Sequence, residues 1–301
     1  MNQRILDATA CPLPSVQFQL GDGHFQVGLT APATEFMAEY GRRFDTLGHV
    51  AMIVLDGRSF LGGPGLVDEF GILQTPGYAE AAPGESFLKI GIGELSRLDC
   101  KPYHFIRPYP VARWASTTVE HAETQVTFRQ NFVGTRDWAY DYRKTYTVNP
   151  SAAQLDITYW LTNTGTHAFD TDQYNHNFFR FGQVEVSPQY RLEVGFPVDA
   201  ASAASSWLER VDHRPEQFRP MPGGGYLASP RMAAADRNHF RLHHDATGQA
   251  VTCDGDFSVY RFAFWADKTL ISPEVFVAIR LASGQTQHWR RIYQFQAKER
   301  T

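Results

Sequence analysis

The sequence has few cysteines and no cluster of basic residues, and each lack excludes a class of protein. Only three cysteines occur in the 301 residues, Cys11, Cys100 and Cys253. Because they are odd in number and widely separated, they fit neither a disulfide framework nor a zinc motif, and we expect reduced thiols. The formal net charge is −4, and no run of lysine or arginine stands out. Such a chain has no positive field for a nucleic-acid backbone, so nucleic acid is not an expected partner.

The sequence also lacks long apolar runs. No segment approaches the ~20 apolar residues that a membrane-spanning helix needs, so no membrane partner is expected. Residues 1–15 have neither the basic start nor the apolar centre of a secretory signal. These features predict a cytoplasmic protein.

Long helical patterns are absent as well, and short alternating segments take their place. One example runs over residues 155–161, where apolar and polar side chains alternate, and turns rich in glycine, proline, asparagine and aspartate separate such segments. This pattern is typical of antiparallel strands with one buried face each. The 43 % hydrophobic and 14 % aromatic content can fill a large core, and no linker or repeat divides the chain. We therefore predict an all-β protein in which residues 1–301 form a single antiparallel β-sandwich domain.

Glycine-rich segments predict two long, irregular loops, over residues 60–72 and 75–95. They carry three charged residues of interest, Glu69, Glu85 and Lys89. Loops of this kind on a rigid sheet are where binding sites are commonly built. The glycines of residues 91–93 lack the third glycine and the following helix of a dinucleotide-binding turn, so no nucleotide cofactor is predicted.

Shorter irregular segments are predicted elsewhere. Residues 35–42 are compatible with a brief helix or a loop, and the small polar residues 200–206 predict an exposed loop.

The segment QYNHNFFRFG, residues 173–182, is the clearest candidate for a functional site. His176 lies between two asparagines and among four aromatic residues, Tyr174, Phe178, Phe179 and Phe181. Sugar hydroxyls need hydrogen bonds while the C–H faces of a sugar can lie on aromatic rings, so this mixture suits a carbohydrate. The alternative is an aromatic-rich strand with one hydrogen-bonded core histidine.

Glu274 is the second candidate. The dipeptide Ser272-Pro273 predicts the start of a strand over residues 275–281, because proline is tolerated at the first position of a strand. Glu274 is thus expected at the mouth of an apolar strand, where a carboxylate is partly desolvated.

A histidine cluster, His239, His243 and His244, suggests a metal site, but the local pattern argues against one. Phe240 and Leu242 alternate with these polar residues, and residues 245–248 predict a turn. The histidines are therefore expected on the wet face of a hairpin, where three ligands rarely converge, and no metal is predicted.

Six segments carry a resemblance to a known family. They are GRRFDTLGHV (41–50), DEFGI (68–72), PGESFLKIGIG (83–93), DITYWLTNTGTHAFDTDQYNHNFFRFG (156–182), FAFWADKTLISPEVFVAI (262–279) and SGQTQHWRRIYQF (283–295). In this order, with a histidine after an Asn-Thr-Gly strand and a glutamate before a late strand, the sequence resembles the aldose 1-epimerases, or galactose mutarotases, and their uncharacterised relatives. The resemblance implies their large antiparallel β-sandwich, the galactose mutarotase-like supersandwich.

The resemblance also implies roles for particular residues. The position of His176 matches a general acid, and that of Glu274 a general base. The chain lacks the His-Gly-Gly motif of the early substrate loop, and no Pro-Asp follows the matched base. Glu69, Glu85 and Lys89 resemble substitutes for the missing histidine. The candidate substrate-binding residues are Arg43, Asp45, Glu69, Glu85, Lys89 and Asn175. A structural ion pair between Arg43 and Asp45 is an equal alternative for those two.

Exchange of sugar anomers needs one acid and one base, which an imidazole and a carboxylate supply near neutral pH without a metal or cofactor. The predicted function is therefore an aldose 1-epimerase-type isomerase with a small-molecule carbohydrate as its substrate. Two alternatives stay open: a carbohydrate-binding protein without turnover, and a glycoside-processing lyase or hydrolase on the same scaffold. The sequence names neither the sugar nor the oligomeric state.

Overall fold

A computed structural model describes residues 16–31, 42–198, 207–211, 217–228 and 237–297. Three expectations fall wholly or mostly outside these residues: the state of Cys11, the helix or loop over 35–42, of which only residue 42 is described, and the exposed loop over 200–206. Cys100 and Cys253 are free thiols, the first exposed and the second buried.

Apart from two 3₁₀ turns, Thr135–Asp137 and Pro150–Ala152, the regular elements of the described residues are β-strands. In chain order they are β1 Phe18–Gly21, β2 Phe25–Thr30, β3 His49–Leu55, β4 Arg58–Ser59, β5 Leu61–Phe70, β6 Ser86–Lys89, β7 Gly93–Ser96, β8 Val111–Trp114, β9 Thr117–Ala122, β10 Gln125–Val133, β11 Ala139–Asn149, β12 Gln154–Asn163, β13 Phe169–Phe179, β14 Tyr190–Val194, β15 Leu208–Arg210, β16 Gln217–Pro220, β17 Gly225–Ala228, β18 Asn238–His244, β19 Gln249–Gly255, β20 Arg261–Ala266, β21 Ile271–Leu281 and β22 Thr286–Gln296. No helix in the described ranges has the length and apolar character to cross a membrane.

The strands form two large antiparallel sheets and one small sheet. The first runs β1-β2-β3-β5-β13-β21-β20-β17, with β4 beside β3, and the second runs β15-β16-β14-β18-β19-β22-β12-β11-β10-β9. Strands β6, β7 and β8 form the third. Aromatic side chains join the inner faces of the two large sheets: Phe70 of β5 meets Tyr142 of β11 with ring centroids 5.2 Å apart. The predicted all-β antiparallel sandwich is thus confirmed.

Alternation along the strands explains which face of each one is buried. In β12 every second residue from Leu155 to Leu161 is buried, as predicted, and Phe25, Val27 and Leu29 of β2 are likewise buried. Buried side chains from both large sheets belong to one continuous cluster. Such interdigitated apolar faces are the main source of stability in a sandwich.

The predicted loop over residues 60–72 is wrong, because Leu61–Phe70 is the ten-residue strand β5 in the middle of the first sheet. Its glycines serve close packing of strands. Gly65 has φ +87°, and a Cβ there would lie 1.9 Å from the carbonyl oxygen of Val50 in the neighbouring β3. Only glycine adopts this conformation at such an approach without strain.

The predicted loop over residues 75–95 is correct only for its first part. Residues 75–85 carry turns, but the remainder forms the antiparallel pair β6 and β7, to which β8 adds. The segment Ser86–Lys89 has only four residues and no alternation of apolar and polar side chains, so the sequence does not separate this strand from a loop.

The histidine segment forms the predicted hairpin, with β18 and β19 joined by the turn at residues 245–248. His239 and His243 lie on its outer face, where they contact Asp254 and Asp245. His244, in contrast, is on the buried face, because it follows Phe240 and Leu242 at even spacing. The described part of the chain contains no group of three or more side chains arranged to hold a metal ion.

Candidate active site

The hydrogen-bond ladder between β13 and β21 is interrupted in the middle of the first sheet. Paired residues run from Phe169 and Leu281 to Tyr174 and Phe276, and pairing resumes only at Phe179 and Ile271. Between these two sets of pairs, a hydrogen bond to a side chain takes the place of a backbone hydrogen bond. The Asn177 N–H donates to Ser272 Oγ at 2.9 Å, and the neighbouring Pro273 has no N–H to offer. The strand begins at Ile271, so Glu274 lies inside it, at this gap, and not at its mouth as predicted.

His176 and Glu274 meet at the gap. His176 Nε2 lies 3.3 Å from Glu274 Oε1, and the two side chains are only 6 % and 5 % exposed. Ser272 Oγ donates to the same carboxyl oxygen at 3.2 Å. The second ring nitrogen, His176 Nδ1, is buried and has no hydrogen-bond partner among the described residues. Ser272 therefore fixes the carboxyl group of the pair, while the outer nitrogen of the imidazole is left without a hydrogen bond.

Aromatic rings enclose His176. Phe178 stacks on the imidazole with centroids 3.8 Å apart, and Phe44 and Trp265 present their edges at 5.9 and 5.4 Å. The expected contribution of Phe179 and Phe181 is not found, because these two rings pack in the main core between the sheets.

Burial sets the protonation of the pair. Desolvation raises the pKa of Glu274 to about 8; the charge of Arg43 opposes this shift and that of Glu69 adds to it. Desolvation, together with the charge of Arg43, lowers the pKa of His176 well below its usual range. Both effects disfavour the charged form of each group. At neutral pH the site thus holds a carboxylic acid beside a neutral imidazole, with one exchangeable proton between them.

Arg43 and Glu69 stand beside this pair. Arg43 Nε donates to Glu69 Oε2 at 2.8 Å, and its Nη2 donates to the Tyr174 hydroxyl at 3.0 Å. Tyr174 in turn donates to Glu69 Oε2 at 2.6 Å. The Arg43 side chain is 28 % exposed, whereas that of Glu69 is fully buried, and Glu69 Oε1 has no partner in the described part of the chain.

Asp45 and Asn175 do not face the pair. Asp45 bonds to Lys144 Nζ at 2.8 Å in the interior between the large sheets, so the alternative Arg43–Asp45 ion pair is wrong. Asn175 donates to Asp68 Oδ1 at 3.2 Å, also in that interior. The alternation of β13 is the reason, because Asn175 points away from the face that carries Tyr174 and His176.

Lys89 and Glu85 lie in different surroundings, because Lys89 is buried and Glu85 is exposed to solvent. Lys89 Nζ donates to the Phe70 carbonyl and, at 3.1 Å, to the Tyr103 hydroxyl, and burial lowers its pKa to about 8. Lys89 thereby ties β6 to the end of β5, next to Glu69. The Glu85 carboxylate is 56 % exposed and pairs with Arg136 at 2.9 Å on the surface of the small sheet.

Sequence reasoning missed three residues that line the same face. Arg261 and Trp265 alternate along β20, and Tyr226 of β17 is paired with Trp265. A cross-strand row runs from Glu69 through Tyr174 and Phe276 to Arg261. The only signal in the sequence is an arginine on a strand whose other residues are mostly apolar, and strand order is needed to place it beside Glu274.

Comparison with known proteins identifies the fold. No family model and no curated protein matches the chain. Among solved structures, a putative aldose 1-epimerase from Escherichia coli K12 superposes with a TM-score of 0.57 at 12 % identity, covering 93 % of this chain and 98 % of that one. A galactose mutarotase-like protein from Lactobacillus casei gives a TM-score of 0.55 at 14 % identity, covering 93 % and 99 %.

A third solved structure is similar over nearly the same share of the chain. An aldose epimerase homologue from Caenorhabditis elegans superposes with a TM-score of 0.56 at 11 % identity, covering 94 % of this chain and 99 % of that one. Identities this low establish the fold and not the activity. The chain therefore has the galactose mutarotase-like β-sandwich fold, the fold of aldose 1-epimerase-like proteins.

Proposed function

We propose that the chain is an aldose 1-epimerase-type enzyme that interconverts the anomers of a sugar, with His176 and Glu274 as its proton-transfer pair. The observation that carries this proposal is the buried contact of 3.3 Å between His176 Nε2 and Glu274 Oε1, at a gap in the sheet. The likeness of fold to a putative aldose 1-epimerase supports it.

The chemistry requires no more than these two groups. Ring opening removes the proton of the anomeric hydroxyl and delivers one to the ring oxygen, and ring closure after rotation about the C1–C2 bond reverses both transfers. With its pKa raised to about 8, Glu274 begins as the acid that protonates the ring oxygen, and neutral His176 accepts the anomeric proton. Closure returns both protons, so each turnover restores the starting state.

This order of events inverts the roles that the resemblance implies, in which the histidine starts as the acid. The two forms of the pair, neutral or doubly charged, contain the same number of protons and differ by one transfer across the contact. Burial favours the neutral form in the empty site. Of the substrate-binding candidates, Arg43 and Glu69 are the two that lie on the face of the pair and can bind sugar hydroxyls.

Anomer exchange followed by magnetisation-transfer NMR tests the proposal. Across a panel of aldoses, uronates and sugar phosphates, the wild-type protein is expected to accelerate exchange of at least one compound. Glu274→Gln keeps the shape but cannot ionise, and should lower that rate by roughly 10²-fold or more. Glu120→Gln, at an exposed position on β9, is the matched control and should leave the rate unchanged.

Other outcomes would replace the proposal. Binding of a sugar without exchange by the wild-type protein would identify a carbohydrate-binding protein. A cleaved or unsaturated product would identify a hydrolase or lyase. An anomer-exchange rate in Glu274→Gln equal to that of the wild-type protein would exclude this carboxyl group from the reaction.

A further inference from the structure

Arg261 is a cation beside the proton-transfer pair that forms no ion pair with an acidic residue in the described part of the chain. It lies at the start of β20, paired with Phe276 of β21, and none of the ion pairs among the described residues includes it. Its Nη2 donates to the Tyr226 hydroxyl at 3.3 Å, and its guanidinium lies 4.9 Å from the centroid of the Phe276 ring. Its Nη1 is buried without a hydrogen-bond partner among the described residues. Both contacts are with uncharged groups.

The rest of the site does not neutralise this charge. The guanidinium of Arg43 is matched by Glu69 at 2.8 Å. Glu274 and His176 are each held in their neutral forms by burial. The buried carboxyl group of Asp172 on β13 lies in the field of both Arg261 and Lys89 and forms an ion pair with neither.

Among the described residues this face thus has three cations, Arg43, Lys89 and Arg261, against two carboxyl groups, Glu69 and Asp172. At least one positive charge is therefore unmatched in the absence of a ligand, and a partly buried guanidinium without an anion is unfavourable.

The position of Arg261 places that charge within reach of a ligand bound at the pair. Glu274 pairs with Ala263, two residues from Arg261 on the same face of β20. Such diagonal neighbours in a sheet are about 7–8 Å apart, a distance that an arginine side chain spans. Ala263 contributes only a methyl group to the space between them, and Tyr226, 49 % exposed, opens this end of the site to solvent.

We propose that Arg261 and Tyr226 form an anion subsite, so that the sugar acted on carries a carboxylate or phosphate group. Guanidinium and hydroxyl donors together suit the oxygens of either anion. The inference rests on the proposed function, because it locates the anion relative to the proton-transfer pair. The anion cannot be attached to C1, because the anomeric hydroxyl must be free for ring opening.

Binding measured by calorimetry tests the subsite directly. The probes are glucose, galactose and mannose, each compared with its uronate and its 6-phosphate, so that the two sources of the anion are distinguished. For at least one sugar, the wild-type protein is expected to bind one anionic form roughly 10- to 100-fold more tightly than the neutral form. Arg261→Gln should abolish this preference, and Arg261→Lys should retain part of it. Arg129→Gln, at an exposed arginine on β10, should not change it.

A preference that survives in Arg261→Gln, or equal or undetectable binding of all probes by the wild-type protein, would overturn the subsite. Should the variants fail to fold, salt gives a second test with the wild-type protein. Added KCl should weaken binding of the anionic sugar and leave the neutral sugar unaffected, and equal salt dependence would contradict the proposal.

The two proposals fail separately. If neutral sugars exchange anomers and no anion is preferred, the proposed isomerase activity is supported and the anion subsite is rejected. If anionic sugars bind in an Arg261-dependent way and no anomer exchange occurs, the anion subsite is supported and the isomerase activity is rejected.

Discussion

Burial reverses the order in which His176 and Glu274 lose their protons. In water an imidazole stays protonated to a higher pH than a carboxyl group. Here the carboxyl pKa is raised to about 8 and the imidazole pKa is lowered, because both side chains are removed from solvent. The pair consequently keeps one acid and one base together across the neutral range, which is the condition for concerted proton transfer.

The pH dependence of kcat/KM follows from these shifts. Below the lowered pKa of His176 the imidazole is protonated and the base is lost, whereas above about pH 8 Glu274 is ionised and the acid is lost. We expect a plateau through neutral pH and, above about pH 8, a decline that approaches about tenfold per pH unit. Exchange rates by NMR from acid to alkaline pH, corrected for uncatalysed exchange, check this. A rate that rises steadily through pH 8 would contradict the assigned protonation.

At the level of elements, a buried ion cluster joins the two large sheets behind the site. Lys144 of β11 contacts Asp45 at 2.8 Å and Asp68 of β5 at 2.9 Å, and all three side chains are buried. Asp68 also accepts from Tyr159 of β12 and from Asn175 of β13. The cluster therefore holds the strands that carry Glu69 and His176 against the second sheet.

Replacing Lys144 should destabilise the protein. Lys144→Met leaves two buried aspartates without their cation and should lower the free energy of unfolding by about 3–5 kcal/mol. Asp45→Asn should cost less, because Lys144 keeps its contact with Asp68 at 2.9 Å and no buried charge is left unpaired. Urea denaturation measures both, with the exposed Lys101→Met as the control. A Lys144→Met variant as stable as the wild type would show that the cluster does not support the sheets.

The elements that could be predicted from the sequence are those with a regular period. Strand β12 was evident because one face is buried and the other faces solvent. Strand β5 was missed because its seven buried residues, Pro64–Phe70, follow one another and its glycines resemble a turn. A strand covered on both faces has no alternation to reveal it, and here Gly65 marks an approach between strands that only the fold explains.

On the scale of the whole molecule, the candidate site depends on strand order, which a sequence does not contain. His176 and Glu274 were singled out from their local sequence and received their roles from the resemblance, and their contact arises because β13 and β21 are neighbours. Asp45 and Asn175 were misplaced because local composition does not show on which face a side chain lies. Arg261 was missed because its importance comes only from its register with Phe276.

The shared core leads to a prediction about the domain structure of the whole molecule. We propose that residues 1–301 form one domain, because a single cluster of buried side chains takes members from both large sheets. Unfolding in urea should then follow one transition, with coincident curves from tryptophan fluorescence and from far-UV circular dichroism. Two separate transitions would indicate independent units.

The most direct test of the central claim, that His176 and Glu274 act as one proton-transfer unit, is the anomer-exchange rate of four proteins: wild type, Glu274→Gln, His176→Asn and the double variant. Each single change should lower the rate by roughly 10²-fold or more. The double variant should be little slower than the poorer single variant, because each group is ineffective without the other. Losses that multiply in the double variant, or a single variant with the wild-type rate, would contradict the account.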